Sequence, residues 1–113
     1  MKNTFTEKLR VQQNLQFTEA HVQKLDRNIM DIAKLYSKLC SWVCEPKTYE
    51  QFMRLNELKE EVKILRYKNK NISSKLRTDD TNTAKNGLRL CSNYFVAFEE
   101  LTRNVTEYLN EVK

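Results

Sequence analysis

Val11–Val43, VQQNLQFTEAHVQKLDRNIMDIAKLYSKLCSWV, is the stretch whose reading decides the fold. Val11, Leu15, Thr18, Val22, Leu25, Ile29, Ile32, Tyr36, Leu39 and Val43 recur at alternating steps of four and three, with Thr18 the only weak member. That period lays one apolar seam along a helix built to lie against other helices. A chain devoted to long seams has little left over for a pocket. The sequence therefore reads as an assembly subunit before it reads as anything else.

The same pattern continues outward in both directions. Thr4-Phe-Thr-Glu7 fits a capping box and opens helix 1, which is expected to run to about residue 44. Glu45 precedes Pro46, and a residue before proline is pushed out of α geometry. Thr48-Tyr-Glu-Gln51 offers a second capping box, so helix 2 is placed at 48–77 with a seam of Leu55, Leu58, Val62, Leu65, Asn69, Ile72 and Leu76. The polar corner Thr78-Asp79-Asp80-Thr81 suits an N-cap and the positive end of a helix dipole, which starts helix 3 at about 80 and carries it to 112. The first row of helix 3 is Leu88, Cys91, Phe95, Phe98, Thr102, Val105, Leu109 and Val112. Gly87 either lies inside this helix, at about 1 kcal/mol relative to alanine, or extends the corner; the first reading is the simpler. The expected fold is all-α: three long helices in an elongated antiparallel hairpin or coiled-coil bundle, one domain over 1–113.

Helices 1 and 3 carry second rows, Met30, Ala33, Ser37, Cys40 and Cys44 in one, Leu90, Tyr94, Ala97, Leu101 and Tyr108 in the other. Two rows imply neighbours on two sides. Helix 1 is also too long for helix 2 to cover, reaching back only to about residue 16, which leaves Phe5, Leu9, Val11 and Leu15 for a partner. Val22, Tyr94, Leu101 and Tyr108 are assigned to the same partner interface. Trp42, with Tyr49, Phe52 and Met53 just beyond Pro46, is expected to plug the first corner; the other reading is an aromatic hot spot. Asn69 at a seam position either fixes register through a buried polar contact or is solvated among Lys68, Lys70 and Asn71.

Composition excludes more than it names. With 40% hydrophobic and 31% charged residues and a mean hydropathy of −0.73, the chain is globular or coiled-coil rather than disordered. No apolar run approaches the ~20 residues of a membrane span, and the charged start MKNTFTEKLR has no signal-peptide core. A chain that is not secreted leaves the acceptor patterns at Asn71 and Asn104 unused and its three cysteines reduced. Eight basic residues against two acidic ones lie between 63 and 89, so the whole +5 surplus sits near the second corner. This basic tip, Lys63, Arg66, Lys68, Lys70, Lys75 and Arg77, reads first as a solvated helix end and second as a binder of anionic surfaces. Direct nucleic-acid reading is not expected, since only Tyr67 offers an aromatic platform. One histidine, His21, and cysteines without CxxC spacing argue against a metal site. Cys40 and Cys44 read as small side chains at a tight helical contact. No nucleophile–base pair, phosphate loop or cofactor motif is present, so no enzymatic activity or cofactor is expected.

Phe17-Thr-Glu-Ala20 followed by Leu25 and Ile29, then Leu55-Asn-Glu-Leu58 with Val62-Lys-Ile-Leu-Arg-Tyr67, and then Ala84 to Cys91, fall in the order of three helix starts. In these stretches the chain resembles the family of subunit 2 of the spindle and kinetochore-associated complex, with a helix 2 about one turn longer. The resemblance implies a helical scaffold intertwined with two sister subunits at the outer kinetochore. It also implies indirect microtubule contact, self-association through the shared core, and a cytoplasmic, spindle or nuclear location. Subunits of lysosome-positioning, organelle-biogenesis, augmin and meiotic-axis complexes share the same outline.

Overall fold

A computed structural model describes the backbone of residues 4–113 and the side-chain surroundings from Thr18 onward. Among these residues the chain forms three α-helices, α1 (Thr4–Leu39), α2 (Tyr49–Leu76) and α3 (Thr81–Val112), with a 3-10 turn at Trp42–Cys44. At 1.5 Å per residue they are ~54, ~42 and ~48 Å long. Short corners fold them into an elongated all-α bundle in which α2 runs antiparallel to both neighbours.

The helix starts follow from local chemistry. Thr48 Oγ1 accepts from the Gln51 amide at 3.1 Å, and Gln51 Oε1 accepts from the Lys47 amide at 2.8 Å. The box is thus closed one residue earlier than expected, on Lys47 rather than on Thr48. Asp80 caps α3 by accepting from the Asn82 amide at 3.2 Å and from the Thr83 hydroxyl at 2.6 Å. The Thr83 hydroxyl first, and then the Asn82 amide, hold the Asp80 carboxyl below its ordinary range. The capping box proposed at Thr4 lies outside the described side chains.

Helix 1 ends earlier than the sequence predicts. Its last α-type bond joins the Cys40 amide to Tyr36, and Ser41 then turns extended at φ −71°, ψ 138°. The 3-10 turn that follows swings Cys44 inward, where its carbonyl accepts from the Tyr108 hydroxyl at 3.1 Å. Proline restrains only Glu45, which is extended; the earlier break serves this contact between the corner and the end of α3.

The core also differs from the expected row on α1. Leu25, Asn28, Ile32, Leu35 and Leu39 are buried, Ile29 and Tyr36 are half-buried, and Val43 is 56% exposed. Two 3-4 rows share Leu25, Ile32 and Leu39, and α1 uses both because it packs on two helices. Asn28 reaches Tyr94 on α3, whereas Ile29 and Tyr36 line a groove with Val62 and Arg66 of α2. On α3 the centre of the face is Gly87, Cys91, Tyr94, Leu101, Val105, Tyr108 and Val112. Gly87 lies within α3, as the simpler reading expects. A Cβ there would stand 3.0 Å from Leu76 Cδ2 and 3.2 Å from Lys75 Cβ, so glycine lets α3 close against the end of α2.

A buried polar junction joins all three helices. Asn69 of α2, 1% exposed, donates to the Leu25 carbonyl of α1 and to the Tyr94 hydroxyl of α3, both at 3.0 Å. The Tyr94 hydroxyl in turn donates to Asn28 Oδ1 of α1. Asn69 is thus the register-fixing amide of the two readings offered for it. Burial, opposed by the Asn69 hydrogen bond, pushes the Tyr94 phenol up to about 12.

Two outcomes test this core. Tyr94→Phe strands Asn28 Oδ1 and one Asn69 N–H inside the bundle, so it should lower unfolding free energy in urea by roughly 2–3 kcal/mol. Asn69→Leu strands neither Asn28 nor the Leu25 carbonyl, which keeps its helical partner. It should cost less than ~1 kcal/mol while loosening register. The second outcome concerns alkali. Burial raises the Tyr94 and Tyr108 phenols in the folded state, so the fold retains their protons where the unfolded chain has released them. The contribution of Tyr94 is complete below about pH 10 and is lost as pH rises toward 12, and that of Tyr108 is likewise lost above about pH 10. Melting temperature should fall across that window, and less steeply in Tyr94→Phe.

Candidate docking surfaces

Of the residues expected to face a partner, Phe5, Leu9, Val11 and Leu15 lie outside the described side chains. Val22 is half-buried against the chain's own core. Tyr94, Leu101 and Tyr108 require correction: they are 3%, 5% and 1% exposed and belong to the intrachain core. A second row on α3 does mean a second neighbour, but that neighbour is α1 folding back alongside. Length alone could not distinguish an internal third helix from an external one.

Trp42 does not plug the first corner. It is 79% exposed and Tyr49 is 75% exposed, with Val43, Phe52 and Met53 also outside. The corner is closed instead by Cys44 and Tyr108, because the 3-10 turn points one face inward and Trp42 lies on the other. A cluster of this kind at a rod end is the sort of surface that partners cover.

Between α1 and α2 a groove is lined by Ile29, Ile32, Ala33, Tyr36 and Val62, with Lys63 and Arg66 along one rim. Met30, at 64% exposure, Ala33 and Ser37 are all exposed on α1. The expectation that the second row of α1 is packed therefore holds only for Cys44. Farther along this groove Ser73 buries its hydroxyl with no hydrogen-bond partner among the described residues.

The basic tip is divided by the fold. One guanidinium nitrogen of Arg77 donates to both carboxylate oxygens of Asp26 of α1, at 3.0 and 3.3 Å, so Arg77 is engaged in joining α2 to α1. Lys63, Arg66 and Lys70 point to the α1–α2 side and Lys68 to the α2–α3 side. Lys75 lays its stem against Gly87. The six cations therefore do not form one patch. Lys24 sits over the Phe95 ring at 4.4 Å and ties α1 to α3 in a second place. Sequence reasoning missed Asn28, Leu35, Asp26 and Lys24. The first two flank the expected seam on the side away from Met30, Ala33 and Ser37, and the partners of the last two lie far away in the chain.

Among the described residues no group of three His, Cys, Asp or Glu side chains is gathered in a metal-binding arrangement, and no helix is long and apolar enough to cross a membrane. Cys40 is exposed, correcting its assignment to a tight contact, while Cys44 and Cys91 are buried and all three are free thiols. In the native protein one thiol should react quickly with a disulfide reagent, and the other two should react only as the bundle unfolds. A Cys40→Ser variant that keeps a fast phase would contradict this arrangement. No protein-family model, curated protein or solved structure matches the chain.

Proposed function

We propose that this protein is a non-enzymatic structural subunit of a hetero-oligomeric helical complex, docking through the N-terminal part of α1. The observation that carries the reading is a difference in helix length at one end of the bundle. Asn69 is level with Leu25, so α2, ending at Leu76, extends to about the level of residue 18. Tyr94 is level with Asn28, so α3, starting at Thr81, reaches about the level of residue 15. Helix α1 continues to Thr4, about eleven residues or ~16 Å farther. Phe5, Leu9 and Val11 fall in that extension and Leu15 at its root. Burial of such side chains by a partner helix stabilises association by about 1.5–3 kcal/mol each before entropy is charged.

The narrower form of this reading is membership in a spindle and kinetochore-associated assembly, with cytoplasmic, spindle or nuclear location and microtubule contact made through sister subunits. The sequence resemblance supports it. A tagged copy followed through mitosis tests it, and a protein that never visits spindle or kinetochore removes it.

The docking strip itself is tested with Leu9→Asp and Leu15→Asp introduced together. The variant should melt within a few degrees of wild type, because the core of the described residues lies from Val22 onward, beyond both positions. It should lose the set of helical proteins recovered with the wild-type chain by affinity capture and mass spectrometry. Recovery of the same set by wild type and variant would count against the strip.

A further inference from the structure

One row of α2 reverses its charge halfway along. Arg54, Glu57, Glu61, Ile64, Lys68, Asn71 and Lys75 follow one another at steps of three and four, so they lie along a single helix face; Arg54 pairs with Glu57 at 3.6 Å, which leaves the charge reversal to Glu61 and the two lysines. The two glutamates stand on the side of the first corner and the two lysines on the side of the second, with Ile64 between them, 49% exposed. Glu61, Ile64 and Lys68 line a groove between α2 and α3 with Ala97 and Glu100, and no α1 residue is among its described lining. This face is therefore open on the side of the bundle away from α1. Glu100 of α3 places a further carboxylate in the groove, at about the level of Glu61 and Ile64.

A face that is acidic at one end, basic at the other and apolar between is complementary to itself under one operation, a two-fold rotation. Two copies laid antiparallel about Ile64 bring Glu61 of each copy to within one residue of the level of Lys68 of the other and set the two Ile64 side chains together. A parallel pairing would instead align like charges along the whole row. We infer that the α2–α3 face is a self-association surface, joining two copies of the chain as antiparallel rods centred on Ile64. Opposite charges fix the direction and register, and the apolar centre removes its surface from water. This surface is separate from the N-terminal strip of α1, so the two proposals fail independently.

The experiment uses the purified full chain alone, in sedimentation velocity across a concentration series at low and at high salt. Wild type should dimerise, and more weakly at high salt. Glu61→Lys and Lys68→Glu should each weaken dimerisation at least about tenfold, since each sets like charges opposite one another. Their helical content and melting should stay close to wild type because both side chains are exposed. An equimolar mixture of the two variants should form a heterodimer, because a copy with lysine at both positions then faces a copy with glutamate at both. The double variant Glu61→Lys, Lys68→Glu should dimerise like wild type. Wild type that remains a monomer at every concentration overturns the proposal. So does a dimer that the single reversals leave intact, or one that neither the mixture nor the double variant restores.

Discussion

The three helices are held in one register by the hydrogen bonds that link Asn69, Tyr94, Asn28 and the Leu25 carbonyl. Apolar seams are tolerant of sliding, because one leucine packs on its neighbour's leucine about as well as on the next. A buried amide is not tolerant, since a slip of one turn would leave its donors without acceptors in a water-poor interior. Tyr94 is the centre of the junction because a hydroxyl both donates and accepts. It accepts a hydrogen bond from Asn69 of one helix and donates one to Asn28 of another. The two short corners make α2 antiparallel to both neighbours and α1 parallel to α3, and the junction fixes how far along they meet.

Once that register is set, the two ends of the rod become different objects. At one end, the offset between Tyr94 and Asn28 brings Tyr108 level with the turn after α1. Its hydroxyl claims the Cys44 carbonyl, Cys44 turns inward and Trp42 is left outside. At the other end, Gly87 allows α3 to close on Leu76, while Arg77 reaches across to Asp26. The Arg77–Asp26 pair is solvent-exposed and contributes little stability by itself. Its consequence is electrostatic, because it withdraws one cation from a basic tip whose other members are already divided between the two sides of α2.

Much of the architecture is legible in residues. Thr48 and Asp80 mark two helix starts to within a residue, because a side-chain oxygen near orphan amides is a local matter. Leu55, Leu58, Val62, Leu65, Asn69, Ile72 and Leu76 form the observed face of α2 as a set, since α2 meets its neighbours along one stripe. Helix α1 was harder to read. Its apolar face is wide enough that two 3-4 rows overlap on Leu25, Ile32 and Leu39, and periodicity alone favours the more apolar of them. Asn28 and Leu35 became core because a second neighbour lies on their side.

By itself, then, the sequence determined the class of fold, the number of helices, where two of them begin and the side of α2 that is buried. These depend on interactions within a few residues, where propensity, capping and period act. Tertiary structure alone decided which second row faces inward, that Tyr94, Leu101 and Tyr108 serve the chain's own core, that Trp42 stays in solvent and that Arg77 is engaged. Each of these depends on a partner dozens of residues away, such as Asn28 for Tyr94 or Cys44 for Tyr108, and no local pattern carries the identity of that partner. The third helix folding alongside the first is the physical reason. It supplies the second neighbour that the first-helix pattern calls for without naming.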